Sequence, residues 1–435
     1  MKVAVAGTGY VGLVTAVCFA EIGHDVVCVD VDPKKIDTLQ KGKCPIYEPG
    51  LEELMKKNQD RLQYTLSYQE AYRDSKVIFV GVGTPERYDG SANLDYVYKV
   101  CEQIKEVAES DKIVVIKSTV PIGTNDELEK RLNENSSIHF YIVSNPEFLA
   151  QGTAVHDTLH PSRIVVGVEE EYSKKIMAEL YHPLTVEPYS APYLVMDRKS
   201  AEMVKYASND FLALKISYIN EIANFCEKIG ADITEVTRGM SYDKRIGSQF
   251  LNAGIGYGGS CFPKDTKALH WLSQSVDCEL KTIKACIEVN KSQKIKLFEQ
   301  AYMDFKGDLS GKVVAVLGLS FKPNTDDLRE APSIDNVELL LEHGAIVRVY
   351  DSIALSKFKE RFLQRVEYAF SIDEAIQDAD SVFIMTEAEE FKNYPLSRYK
   401  KLMRQPYVYD GRNCYDLKIV EKEGIHYYSI GRRKI

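Results

Sequence analysis

Residues 256–265 read Gly-Tyr-Gly-Gly-Ser-Cys-Phe-Pro-Lys-Asp, which places one cysteine, Cys261, inside a glycine cluster and directly ahead of Pro263, Lys264 and Asp265. Glycines let backbone or a ligand come close to the sulfur. Pro263 and Asp265, followed by apolar Ala268, Leu269 and Leu272, predict that a helix starts at this point. A thiol at a helix N-terminus beside a lysine gains thiolate character, and a thiolate adds to electrophilic carbon. Taken alone, the same residues also describe a buried, inert cysteine in a turn.

A second constellation lies near the start of the chain. Gly7-Thr8-Gly9-Tyr10-Val11-Gly12 follows an apolar run at 3–6 and precedes a helical stretch at 13–22 that Gly23 ends; a further apolar run then closes on Asp30. Strand, GxGxxG, helix, strand and acid together predict a dinucleotide site. Gly7 permits the tight turn, Gly9 lets backbone approach a pyrophosphate, Gly12 permits close helix packing, and the helix N-terminus attracts the phosphates. Asp30 stands roughly 20 residues beyond, where an acid bonds the ribose hydroxyls. Its charge would repel a 2′-phosphate, which favours NAD over NADP, although Lys34 and Lys35 are close in sequence. Lys2 and the apolar run 3–20 superficially resemble a signal peptide, but the glycine spacing predicts strand, turn and helix instead.

These groups need a scaffold. Apolar strands are predicted at 77–82 and 113–116, each ending near small or hydroxyl residues: Thr84 after the first, Ser118 and Thr119 after the second. Ligands of open parallel sheets sit at such strand ends, and turn capping is an equal use for each hydroxyl. Strands at 141–144 and 163–168 extend this first domain to about residue 193. From 198 to 229 the pattern is helical, with no internal Gly or Pro, and would span roughly 48 Å. Lys205 and Asn209, four apart, share one face of it. A third section has a strand near 311–317, a helix at 333–342, a strand at 347–351, a helix ending near Asp380 and a strand at 381–385. It is Rossmann-like, but Gly318-Leu-Ser-Phe-Lys322 lacks the later glycines, so no second dinucleotide is expected; Lys322, Arg329 and Arg412 could hold another phosphate-bearing ligand. The expected fold is α/β, with two Rossmann-like doubly wound domains (1–195 and 306–435) joined by a long central helix and a helical middle domain (196–305).

Composition narrows the function classes. The net charge of −9, with no basic block longer than Arg432-Arg433-Lys434, argues against nucleic acid as the main partner but not against an anionic small molecule. Nine cysteines without CxxC pairs indicate neither a disulfide framework nor a metal site, which fits a reducing cytoplasm. No other stretch approaches the ~20 apolar residues of a membrane span.

The chain resembles the UDP-glucose/GDP-mannose dehydrogenases, the nucleotide-sugar dehydrogenase family, over essentially its whole length. The resemblance rests on Gly7-Thr-Gly-Tyr-Val-Gly12, Pro45-Ile-Tyr-Glu-Pro-Gly50, Ser118-Thr-Val-Pro121, Asn145-Pro-Glu-Phe-Leu149, Lys205-Tyr-Ala-Ser-Asn209, residues 250–265, and Phe321-Lys-Pro-Asn-Thr-Asp-Asp-Leu-Arg-Glu330. It implies a two-step, four-electron oxidation of a sugar CH2OH to a carboxylate by NAD, in a homodimer with the long helix at its core. Cys261 is implied as the nucleophile that carries a thiohemiacetal and then a thioester. Lys205 and Asn209 would stabilise charge on the C6 oxygen, Asp265 and Thr119 would position water or assist proton transfer, and Glu147 would act as acid or base in hydrolysis. Lys205, Asp265 and Glu147 all remain candidates for removing the first proton.

For NAD, the resemblance implies contacts from Gly7, Gly9, Tyr10, Val11, Gly12, Asp30, Lys35, Thr84, Ser118, Thr119, Lys264 and Arg329. For the sugar nucleotide it implies Glu147, Phe148, Leu149, Ala150 and Gln151, then Lys205, Asn209, Phe250, Leu251, Asn252, Ala253 and Gly254, and finally Tyr257, Gly258, Phe262, Lys322 and Arg412. Arg245 resembles an arginine supplied across the dimer interface. Many members carry an acid where this chain has Gln151; an amide cannot be a base, so Gln151 keeps a contact role, toward cofactor or substrate. Ser260 before the cysteine and Phe250-Leu-Asn-Ala-Gly254 resemble the UDP-glucose type. UDP-N-acetylmannosamine enzymes carry His before the cysteine, and GDP-mannose enzymes share Gly-Gly-Ser-Cys. A reading from another class, a non-catalytic NAD-responsive redox sensor using Cys261, is opposed by the register of Cys261 with Lys205, Asn209 and Asp265.

Overall fold

The computed structural model describes all residues, 1–435. They form two compact units, Met1–Ser208 and Asn209–Ile435. The first contains eight strands: β1 (Lys2–Ala6), β2 (Asp25–Val29), β3 (Leu62–Thr65), β4 (Val77–Val80), β5 (Lys112–Ile116), β6 (Phe140–Ser144), β7 (Ile164–Gly167) and β8 (Tyr193–Met196). They lie in the order β3-β2-β1-β4-β5-β6-β7-β8. β1 to β6 run parallel, while β7 pairs antiparallel with β6 and parallel with β8. Alternate residues of β1 enter opposite cores, Val3 and Val5 on one face and Ala4 and Ala6 on the other. Burial on both faces explains why the central strands β1, β4 and β5 are near-continuous apolar runs rather than alternating.

The second unit repeats the architecture with six parallel strands: β9 (Val313–Leu317), β10 (Ile346–Tyr350), β11 (Glu367–Tyr368), β12 (Ser381–Ile384), β13 (Tyr407–Asp410) and β14 (His426–Ser429). Their order is β11-β10-β9-β12-β13-β14. Val314 and Val316 enter one core, Ala315 and Leu317 the other. Between β8 and β9 the chain is helical, beginning with the long helix Arg198–Ile229 and including Phe262–Ser275 and Lys281–Lys294. No helix is long and apolar enough to cross a membrane.

Two predicted helix bounds shift by three residues or more. The first helix spans Tyr10–Glu21 and starts three residues earlier than the apolar run suggests, because Gly9 takes extended backbone as its N-cap. The helix expected to end near Asp380 is the short Ile372–Ile376; Asp380 instead accepts from the Val313 amide at 2.9 Å and pairs with Arg404.

Candidate functional site

In the first unit, the β1 turn is built by close approaches. Gly7 has φ +93°, and a Cβ at Gly12 would fall 2.0 Å from the Gly7 carbonyl oxygen. A Cβ at Gly9 would meet nothing within 4 Å. This open side, at the N-terminus of Tyr10–Glu21, is where a pyrophosphate fits. Asp30 is buried, and its Oδ2 accepts from the Thr8 amide and hydroxyl at 2.7 and 2.6 Å. Burial works against its ionisation, but the Thr8 and Asp32 hydrogen bonds hold its carboxyl below the ordinary value. Lys35 Nζ stands 3.9 Å from Asp30. The residues therefore fit NAD: an open glycine edge, a helix N-terminus and an ionised ribose acceptor.

Two further expected NAD contacts, Thr84 and Ser118, are tied to the backbone. Thr84 Oγ1 donates to the Thr119 carbonyl at 2.9 Å, and Ser118 Oγ donates to the Val82 carbonyl at 2.6 Å. Each hydroxyl keeps a lone pair for a ligand.

Glu147 and Lys205 form a buried ion pair, Nζ to Oε1 at 2.8 Å, with side chains 5% and 4% exposed. The other Glu147 oxygen accepts from the Leu149 amide at 2.6 Å. Burial opposes its charge, yet Lys205 overrides this and holds the carboxyl below its usual value. Phe148 lies under the Arg163 guanidinium at 3.7 Å, with Lys205 Nζ 5.6 Å from the same ring. Ala150 donates its amide to Asp157 at 3.0 Å, and Gln151 follows on the same loop, half-buried.

In the second unit, Cys261 is the N-cap of Phe262–Ser275 and is exposed, so the buried-turn reading does not describe it. Its sulfur lies 3.7 Å from Ser260 Oγ and within electrostatic reach of Arg329. The glycines before it are required by packing. A Cβ at Gly258 would sit 2.3 Å from the Glu330 carbonyl oxygen, and one at Gly259, φ +82°, would sit 2.9 Å from the Phe321 ring. One turn into the helix, buried Asp265 accepts from Asn209 Nδ2 at 2.6 Å and from Lys264 Nζ. The long helix is continuous through residues 205 and 209, so Lys205 and Asn209 remain one turn apart.

The segment 250–258 is drawn together with Arg412. The Arg412 guanidinium donates to the carbonyls of Gly256 and Met385 at 3.2 and 3.0 Å, and the Ile255 amide donates to the Gly411 carbonyl at 3.1 Å. Gly254 has no room for a side chain against Gly411. Phe262 packs between Phe250 and Tyr257, with ring centroids at 6.2 and 5.8 Å. Leu251 and Ala253 are buried while Asn252 is exposed. Lys322 Nζ lies 5.6 Å from the Phe321 ring. Arg329 is exposed and bidentate to Asp327, and Arg245 is 90% exposed and held by Asp243.

Sequence reasoning missed three groups. Thr8, an unremarkable x of GxGxxG, orients Asp30. Glu48 accepts from the amides of Gly152 and Ala154, both at 2.7 Å, and so fixes the loop that follows Glu147. Lys117 bonds Asn145 and Tyr181 beside a cavity of about 190 Å³ behind Glu147, where burial lowers its pKa to about 8. Thr8 and Glu48 each sit inside a sequence motif, Gly7–Gly12 and Pro45–Gly50, whereas Lys117 carries no such signal.

Residues 1–185 match the NAD binding domain of the UDP-glucose/GDP-mannose dehydrogenase family, 199–292 its central domain and 315–417 its UDP binding domain. The UDP-glucose 6-dehydrogenase YwqF of Bacillus subtilis is 48% identical over 439 residues, covering 100% of this chain and 98% of that protein. Among solved structures, a UDP-glucose dehydrogenase from Pyrobaculum islandicum is similar with a TM-score of 0.91 at 38% identity, over 99% of this chain and 98% of that one. A UDP-D-ManNAc dehydrogenase from Pyrococcus horikoshii follows at 0.87 and 27%, covering 99% of both chains.

Proposed function

Because the chain belongs to the UDP-glucose/GDP-mannose dehydrogenase family, we propose that it oxidises the C6 alcohol of UDP-glucose to the carboxylate of UDP-glucuronate. The observation that carries this reading is Cys261, exposed at a helix N-cap, one turn from an Asp265 that Asn209 and Lys264 hold in place. The 48% identity to a UDP-glucose 6-dehydrogenase, against 27% to the UDP-D-ManNAc enzyme, favours glucose as the sugar.

NAD, when bound at the β1 turn, accepts the hydride in each of the two oxidations. Asp30 holds its ribose, and the open edge at Gly9 receives its phosphates. The Cys261 thiolate forms a C–S bond to the aldehyde carbon, which gives a thiohemiacetal and, after its oxidation, a thioester. The Asn209 amide and the Lys205 ammonium stabilise the C6 oxyanion of these adducts. Water then breaks the C–S bond, with Asp265 and Thr119 positioning it and Glu147 moving its proton, and the thiolate is restored. One alcohol, one water and two NAD yield one carboxylate, two NADH and three protons. Phe148 to Gln151 and residues 250–258, with Phe262, Lys322 and Arg412, hold the sugar nucleotide, and Lys264 and Arg329 stand near the reacting thiol. The domains are 1–195 for NAD, 196–305 for the nucleophile and 306–435 for the uridine diphosphate.

The long helix also supports a homodimer. Phe211, Tyr218 and Phe225 recur every seventh residue and are 61%, 49% and 60% exposed, an unpartnered aromatic stripe that a second copy would cover. Exposed Arg245 is then available to the partner's site. None of the nine cysteines is in a disulfide, which accords with a reducing cytoplasm.

The test is NADH release per sugar across UDP-glucose, GDP-mannose and UDP-N-acetylmannosamine, with product mass. Two NADH and UDP-glucuronate are expected; preference for GDP-mannose, or one NADH with an aldehyde, overturns the assignment.

A further inference from the structure

Asp210 follows Asn209 on the long helix. It is 2% exposed, and neither of its carboxyl oxygens has a hydrogen-bond partner. A carboxylate in that position would be a desolvated charge with nothing to satisfy it, whereas a neutral carboxylic acid tolerates the site far better. Its surroundings come from three other elements. Lys264 and Asp265 face it from Phe262–Ser275, Tyr257 from the glycine segment, and Cys286 from Lys281–Lys294. One turn on, Ala213 packs with Tyr257 and Cys286, and Ser217 Oγ lies 3.2 Å from Cys286 Sγ.

Two of these neighbours carry no charge at neutral pH, because burial pushes both the Tyr257 hydroxyl and the Cys286 thiol upward. The charges facing Asp210 are therefore Lys264 and Asp265, and they are already joined to each other. Asn209 completes the arrangement by donating to the other Asp265 oxygen. Burial foremost, and then the Asp265 charge, push the Asp210 carboxyl up to about 8, against the pull of Lys264.

We propose that Asp210 is a positioning residue for the oxidation proposed above, a carboxylic acid that stays protonated so that Asn209 and Lys264 remain committed to Asp265. This rests on the dehydrogenase reading. Two carboxyls in one dry site cannot both ionise cheaply, and the orphaned one holds the proton. When Asp210 loses that proton, a second negative charge competes for Lys264 and Asn209, and Asp265 is no longer held where it orients the water. Asp210 touches no reacting atom; its effect passes through Asp265.

Two measurements test the proposal, and the first needs no turnover. Infrared difference spectra of the full-length protein, wild type minus D210N, should show the carbonyl stretch of a protonated carboxylic acid at pH 7 that disappears as pH rises through about 8. Carboxylate bands alone at pH 6 overturn the proposal. Should D210N not fold, titration of that band in the wild type, with carbonyl-labelled aspartate, decides the same question. The second is the pH profile of kcat/KM for UDP-glucose. Asn imitates the neutral acid, so the ratio of the value at pH 9 to that at pH 7 should be about tenfold higher in D210N than in wild type. Parallel profiles overturn the positioning role. A wild type that shows the band but reduces no NAD with any nucleotide sugar sinks the dehydrogenase reading and leaves the protonation state standing.

Discussion

The two sheets begin alike and diverge at their crevices. Each places a left-handed glycine after its central strand, Gly7 at φ +93° after β1 and Gly318 at φ +86° after β9. Each then uses the acid that follows the neighbouring strand to grip the next residue: Asp30 accepts from the Thr8 amide and Asp351 from the Leu319 amide, both at 2.7 Å. Beyond this shared clamp the first turn stays open at Gly9 and enters a helix at Tyr10, while the second carries Leu319, Ser320 and Phe321 and starts its helix only at Pro332. The second oxygen of Asp351 also accepts from the Ile353 and Ala354 amides at 2.8 and 2.7 Å; that of Asp30 takes one amide, Asp32, at 3.0 Å. The clamp is thus a property of the fold, and a dinucleotide site needs three further things: an open glycine edge, an adjacent helix N-terminus and an acceptor with capacity left.

The largest expected contrast between the units is electrostatic. Lys205→Met strands a buried Glu147 and should destabilise the first unit by ~3–5 kcal/mol in denaturant titration, with recovery in the K205M/E147Q double variant. Arg329→Met breaks a pair whose arginine is 62% exposed and should cost about 1 kcal/mol or less. Equal losses would erase the contrast.

Next in size, Gly12→Val forces a side chain into the Gly7 carbonyl and should weaken NAD binding by about a hundredfold in calorimetry while UDP-glucose binding persists. Retained NAD affinity would show that the turn is not the phosphate cradle.

Asp30→Asn and Asp351→Asn separate clamp from ligand. D30N should weaken NAD by about tenfold and narrow its preference over NADP. D351N should leave NAD affinity unchanged and lower Tm. A drop in NAD affinity for D351N would mean that the two crevices are more alike than described.

The smallest effect is on acid stability. Hydrogen bonds hold Asp30 below the ordinary carboxyl value, so its stabilisation is fully present above that value and is lost as pH falls through the lowered one. Between pH 7 and pH 3, thermal melts of D30N should therefore lose about 1 kcal/mol less than wild type.

Features with local signatures were legible in the sequence. The long helix was bounded at 198 and 229 because nothing within it breaks a helix and Gly230 stops it. The Cys261 helix start and the β1 turn carry their own glycines and proline. The strands β3, β8, β11, β13 and β14 were not read; β3, β11, β13 and β14 lack the aliphatic-rich run that marks the equally short β4 and β7, and are held by their neighbours in the sheet. Thr8, Glu48, Lys117 and Asp210 were invisible as site residues for a related reason. Asp210 matters through Asp265, 55 residues away, and Glu48 through amides more than 100 residues on.

Glu48 grips main chain, not side chains, where it meets Gly152 and Ala154. That grip on the loop after Glu147 runs through two amides and so does not itself depend on which side chain residue 151 carries. A substitution at Gln151 can therefore change the chemistry offered to a ligand while the Glu48 grip on the main chain stays in place.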